Sequence, residues 1–270
     1  MKIYVITGAS DGIGAELARQ IARRHRGEAA LVLAARSRDK LVDVAAQCEA
    51  QGAATLVVPT DVAREADCRA LVDTAVHHFG GLDCLVNNAG VSAHALFEEV
   101  KAEDLHWYQD LMAVNLWGAV WCTHAALPHL KAVRGRIVAV SSLAGLVGVP
   151  GRTAYSATKF AMGGFFEALR AELKAAGVSV TVAYPGVVAT DIKDHRWNAQ
   201  GRPGGARALN EDDAMPVDEC ARLILEGMDE RRREVVMTTR GKLGRFLKLI
   251  APGKVEDMAL AVVSADPRTP

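Results

Sequence analysis

The sequence predicts a doubly wound α/β fold: one domain built on a seven-stranded parallel sheet with helices on both faces. Short β-branched runs alternate with longer amphipathic segments along the chain. The runs are apolar almost throughout instead of alternating, as in strands covered on both faces. The first of them leads straight into a glycine-rich turn that opens a helix. With 270 residues, half of them apolar, the chain can bury one sizeable core.

In chain order the predicted strands are KIYVIT (2–7), ALVLAA (30–35), TLVVPT (55–60), CLVNNA (84–89), RIVAVS (136–141), VSVTVAY (178–184) and EVVMTT (234–239). Helical periodicity fills 15–26, 40–51, 66–79, 104–132 and 155–176. The stretch 190–216 is polar, rich in glycine and follows a strand, and a loop of that length in a compact domain reads as a lid or a disordered segment. We expect it to be a substrate loop, mobile without ligand and ordered with it. The catalytic unit is taken as 1–240, and 241–270 as its C-terminal helical extension. There Leu243, Phe246, Leu247 and Ile250 fall at helical spacing, with Lys242, Arg245 and Lys248 on other faces. Such a helix packs on its own subunit or on a partner, with a membrane surface as the alternative.

Lys plus Arg equals Asp plus Glu at 32 each, so net charge makes no case for nucleic acid. Five scattered cysteines without a C-x-x-C pair point to a reducing compartment and provide no metal-ligand pattern. Strand-like residues begin at Lys2, which leaves no room for a signal peptide, and no uncharged apolar run reaches the roughly 18 residues of a membrane span. A cytoplasmic location is expected.

The turn TGASDGIG, Thr7 to Gly14, places Gly8, Gly12 and Gly14 between a strand and a helix. Glycines there permit a tight turn and close backbone approach to a pyrophosphate at the helix N-terminus, a Rossmann-type dinucleotide site. Further along, Tyr155 and Lys159 stand one helical turn apart and share a face. A cation within about 4–6 Å of a phenol favours the phenolate, so such a tyrosine can exchange protons. Asn115 interrupts the apolar helix MAVNLWGAV, and a buried amide without partners costs about 1–3 kcal/mol, so a hydrogen-bonding role is expected.

T-G-x-x-x-G-I-G, NNAG at 87–90, Asn115, Ser142, Y-x-x-x-K at 155–159 and Pro185-Gly186 occur in this order over roughly residues 2–240. Together they resemble the short-chain dehydrogenase/reductase family. The resemblance implies Asn115, Ser142, Tyr155 and Lys159 as catalytic residues. Tyr155 would be the general acid for carbonyl reduction and the base for alcohol oxidation, with Ser142 donating to the substrate oxygen. Lys159 would also bind the nicotinamide ribose, and Asn115 would position a water. The implied cofactor contacts are Gly8, Ser10, Asp11, Gly12, Ile13, Gly14, Asn88, Ala89, Gly90, Tyr155 and Lys159. Asp61 with Val62 would meet the adenine, and Pro185, Gly186, Val188 and Thr190 the nicotinamide.

A ribose 2′-hydroxyl calls for an acid about 20 residues beyond the glycines, whereas arginine suits a 2′-phosphate. Ala34 and Ala35 occupy the acid's place, followed by Arg36 and Ser37, so NADP(H) is the expected cofactor and NAD(H) the alternative. Asp11 opposes this, since NADP-binding family members often carry a basic residue there; its other use is as a helix N-cap. The expected substrate is a small hydrophobic carbonyl or alcohol compound lined by 91–96, 143–149 and Trp197. By the resemblance the chain forms a homodimer or homotetramer. The competing reading, a cofactor-sensing protein without activity, would predict loss of the tyrosine or lysine, and both are present.

Overall fold

The computed structural model describes residues 1–190, 196–204 and 214–264. Strands β1 (Lys2–Thr7), β2 (Ala29–Ala35), β3 (Ala54–Pro59), β4 (Cys84–Asn87), β5 (Arg136–Val140), β6 (Ser179–Tyr184) and β7 (Glu234–Val236) form one sheet of order β3-β2-β1-β4-β5-β6-β7. All six neighbouring pairs are parallel. The chain winds outward from β1 to β3, then crosses back to β4 and winds the other way. The connections leaving β1 and β4 therefore diverge and open a crevice at the carboxyl ends of the strands.

Successive strand residues feed opposite cores, which is why the runs read as continuously apolar. Ile6, Leu31 and Leu33 pack with α1 (Gly12–His25), α2 (Arg38–Glu49) and α7 (Val217–Asp229). Val5, Val32 and Ala34 pack with α3 (Glu65–Phe79), α5 (Gly118–Ala132) and α6 (Thr153–Glu172). Phe166 of α6 is wholly buried, a contribution of about 1.5–3 kcal/mol for a side chain of that size.

Helix α7 adds to the predicted elements. The predicted helix 104–132 is α4 (His106–Met112), a π-helical turn over Ala113–Trp117, and α5. Strand β7 stops at Val236 instead of 239, because the Thr238 hydroxyl accepts from the Gly241 N–H and starts α8 (Thr239–Ile250). The expected division at residue 240 thus falls in the first turn of α8. Helix α9 (Pro252–Ser264) follows. Of the predicted stripe on α8, Leu243, Phe246 and Ile250 are 52%, 59% and 65% exposed and Leu247 is half-buried, so most of this face lies open at the surface. Among the described residues no helix is long and apolar enough to cross a membrane.

All five cysteines are buried and unpaired. Burial pushes the Cys48 thiol up to about 11 and Cys84 and Cys220 up to about 12, which keeps them protonated.

Candidate active site

At the crevice the turns after β1 and β4 are stitched together. The Thr7 hydroxyl donates to the Val86 carbonyl and accepts from the N–H groups of Asn88 and Ala89 at 3.0 and 3.1 Å. The Asn88 amide donates back to the Thr7 and Gly8 carbonyls. Gly8 lies at φ +66°, and a Cβ on Gly14 would stand 2.2 Å from the Gly8 carbonyl oxygen. The loop can be this tight only without those side chains. Asn87 turns the other way and donates to Thr123.

Beyond β5 two adjacent serines part company. Ser141 is buried and donates to the Lys159 carbonyl. Ser142 is half-buried; its oxygen accepts from the Ala144 N–H at 3.2 Å, which leaves its O–H free to donate elsewhere. Lys159 is 3% exposed and its Nζ donates to the Val140 carbonyl at 3.0 Å. That Nζ stands 5.7 Å from the centroid of the Tyr155 ring. Burial lowers the Lys159 pKa, Tyr155 opposes this, and Arg152 adds to it.

Asn115 is completely buried within the π-helical turn, a distortion that commonly marks functional sites. Its Oδ1 accepts from the Val91 N–H at 2.8 Å, and its Nδ2 donates to the Val91 carbonyl and the Thr158 hydroxyl at 2.9 and 3.0 Å. The amide therefore clamps the segment after β4 to α6, one residue from Lys159. A Cβ on Gly90 would meet Asn115 Oδ1 at 3.1 Å and Lys159 Nζ at 3.5 Å, so the three converge. Asn115→Leu keeps the bulk but strands these partners, and should lower stability by about 1–3 kcal/mol. A denaturant midpoint unchanged from the parent would contradict the clamp.

The remaining predicted contacts line the rim. Asp11 caps α1, with Oδ1 accepting from the Gly12 N–H, while Oδ2 pairs with Lys40 Nζ at 3.5 Å. Ser10 and Ile13 are half-buried beside it, and Arg36 and Ser37 are exposed at the end of β2. Asp61 accepts from the Ala63 N–H in a tight turn after β3. Val62 packs on Gly118, where a Cβ would strike its carbonyl oxygen at 2.7 Å. After β6, the Pro185 carbonyl accepts from the Leu143 N–H, Gly186 passes Thr238, and Val188 bridges to Met215. Thr190 reaches over Gly12, within 3.2 Å of where a Cβ would lie.

The match to the family described as short chain dehydrogenase runs over residues 2–201, more than half of the chain. The protein belongs to the short-chain dehydrogenase/reductase family. It is 34% identical, over 94% of its length, to 11-beta-hydroxysteroid dehydrogenase-like 2 of Arabidopsis thaliana, and the match spans 79% of that protein. It is 38% identical, over 93%, to 11-beta-hydroxysteroid dehydrogenase-like 4A of the same plant, spanning 81% of it. Its structure is similar to that of a short chain dehydrogenase/reductase from Burkholderia phymatum in complex with NAD. The TM-score is 0.80 at 28% identity, covering 100% of this chain and 97% of that one. An alcohol dehydrogenase from the archaeon Thermococcus sibiricus complexed with 5-hydroxy-NADP gives 0.72 at 28% identity, covering 87% and 94%.

This short-chain dehydrogenase has a cradle that suits a dinucleotide. The first amides of α1 lack intrahelical acceptors, and bulk at Gly8, Gly14 and Gly90 is excluded. Part of the expected lid is well anchored. Trp197 N–H donates to the Ser92 carbonyl, Trp197 carbonyl accepts from His94 N–H, and the Trp107 indole donates to Ala199. The rest of the loop, 191–195 and 205–213, lies outside the described residues. The motifs passed over Arg152, whose guanidinium sits 4.3 Å from the Tyr155 ring centroid. Its spacing of three from Tyr155 at a helix start was the available signal. Thr7 opens the glycine motif, but neither its bonds to the turn after β4 nor the pairing of Lys40 with Asp11 carries a local signal.

Proposed function

We propose that this enzyme is an NADP(H)-dependent carbonyl reductase, working in reverse as an alcohol dehydrogenase, with Tyr155 as general acid and base. The observation that carries the reading is a phenol flanked by two cations, Lys159 and Arg152, at the carboxyl edge of the sheet. When bound, the nicotinamide would give a hydride to the carbonyl carbon, or take one from the alcohol. As negative charge grows on the substrate oxygen, Tyr155 gives it the phenolic proton, so hydride and proton together complete the alcohol. Ser142 keeps its O–H for the same oxygen. The Lys159 ammonium offsets the negative charge that this transfer leaves at the site until solvent returns the proton.

The 1–240 unit would hold both cofactor and substrate, with the C-terminal helices as its extension. Val91 and Trp197, half-buried and packed against the cluster that holds Tyr155, offer apolar surface that suits a hydrophobic substrate, and the relatives' names point the same way. Assembly into a homodimer or homotetramer belongs to this reading, and the exposed face of α8 is surface it can cover. Five buried free thiols support a cytoplasmic setting.

NADP(H) is assigned from Arg36, since Ala34 and Ala35 hold the place of a ribose-binding acid and Asp11 is engaged by Gly12 and Lys40. A guanidinium forks onto a phosphate with charge-assisted hydrogen bonds of about 1.5–3 kcal/mol each. Arg36→Ala should therefore weaken NADPH about ten- to a hundredfold and leave NADH nearly unchanged, with the gap shrinking at high salt. Fluorescence titration of both cofactors checks this. A parent protein that binds NADH more tightly than NADPH would overturn the assignment.

A further inference from the structure

Arg152 brings to this site a positive charge that no described carboxylate balances. It is the residue ahead of α6 and is half-buried, with its guanidinium carbon 4.3 Å from the Tyr155 ring centroid. Among the described residues its one side-chain hydrogen bond runs from Nη2 to the Ser92 hydroxyl, at 2.6 Å. Its Nε is buried without an acceptor. Burial disfavours its charged form, and Tyr155 is the group that opposes this. Charges drawn out of water are ordinarily paired, so a guanidinium held this way is built to meet a partner that arrives with the ligand.

Its surroundings say which ligand. Lys159 keeps company with Gly90 and Asn115, toward the glycine loop. Arg152 instead bonds to Ser92, in the segment that pairs with Trp197, and Tyr155 packs there with Ala93 and Trp107. This apolar cluster is distinct from the surroundings of Lys159, and the substrate is assigned to its side of Tyr155. We propose that Arg152 receives a carboxylate of the substrate, making that substrate a hydrophobic hydroxy acid or oxo acid instead of a neutral alcohol or ketone. The inference rests on Tyr155 being the proton donor. A guanidinium lying against the tyrosine ring is placed for a carboxylate only a few bonds from the reacting oxygen. Its fork matches the two carboxylate oxygens, while Ser92 fixes one arm.

The test uses matched pairs, 2-, 3- and 4-hydroxy acids of increasing chain length and their methyl esters, oxidised with NADP⁺ by the full-length protein. The expected result is a kcat/KM for at least one acid about ten- to a hundredfold above its ester, carried by KM. Arg152→Gln should erase that ratio and Arg152→Lys should restore part of it, with NADPH titration confirming a folded cofactor site. A parent that handles the esters as well as the acids would overturn the proposal, with no variant needed. Equal losses on acid and ester in Arg152→Gln would also overturn it, showing that the guanidinium only steadies Tyr155. If neither member of any pair is oxidised although NADPH binds, the carboxylate proposal falls, while the oxidoreductase reading is decided separately by hydride transfer to neutral ketones.

Discussion

Tyr155→Phe should lower turnover by about 10²–10⁴-fold while leaving NADPH affinity at the parent value, because the change removes a proton donor and keeps the ring. The ring is 8% exposed and packed among Ala93, Trp107 and Ala154, and its hydroxyl has no described hydrogen bond whose loss would unsettle the fold. Stability should therefore stay close to the parent, which separates a chemical defect from a structural one. Turnover within tenfold of the parent on any substrate would remove Tyr155 from the proposed role. The variant also tests Arg152, since a phenyl ring still offers its face to the guanidinium.

Lys159→Met is expected to act on both turnover and cofactor affinity, and to reveal itself through pH. The ammonium lies 5.7 Å from the Tyr155 ring centroid and donates to Val140, so its loss removes a positive charge from beside the reacting group. Stability should move differently. Burial lowers the Lys159 pKa in the folded protein, so the unfolded chain binds the proton more strongly and stability contributed by this group rises with pH. The window runs from the lowered folded value up to lysine's ordinary value. The parent should gain stability relative to Lys159→Met across it, measured as denaturant midpoints on a pH series. A difference that does not vary with pH would contradict a buried, destabilised ammonium, and turnover and NADPH affinity equal to the parent's would contradict its place in the site.

The elements were legible where local pattern and tertiary environment agree. β1 was read at its final bounds because both faces of a central parallel strand are apolar and a glycine turn ends it. At β7, the apolar and β-branched run continues past Val236, but Thr238 has a better use as a helix cap than as a strand residue. Helix α7 has a clear helical stripe of Cys220, Ala221, Ile224, Leu225 and Met228, and was overlooked beside the polar loop that precedes it. The site was legible as a set of residues and much less so as a set of contacts. Asn115 was singled out as an amide needing partners, yet nothing in its neighbourhood announces the π-helical turn or the grip on Val91. Lys40 reaches Asp11 from the next crossover, a pairing that only the winding of the sheet creates.

The most direct test of the account follows the hydride. NADPH carrying deuterium at both positions of the nicotinamide C4 is incubated with the parent protein and a panel of hydrophobic ketones and oxo acids, and the products are read by mass spectrometry. The account predicts an alcohol with one deuterium on the carbinol carbon, a solvent proton on its oxygen, and one oxidised cofactor per product, with the rate of labelling about 10²–10⁴-fold lower in Tyr155→Phe. Tight NADPH binding without labelled alcohol from any member of the panel, or label transferred equally well by Tyr155→Phe, would contradict it.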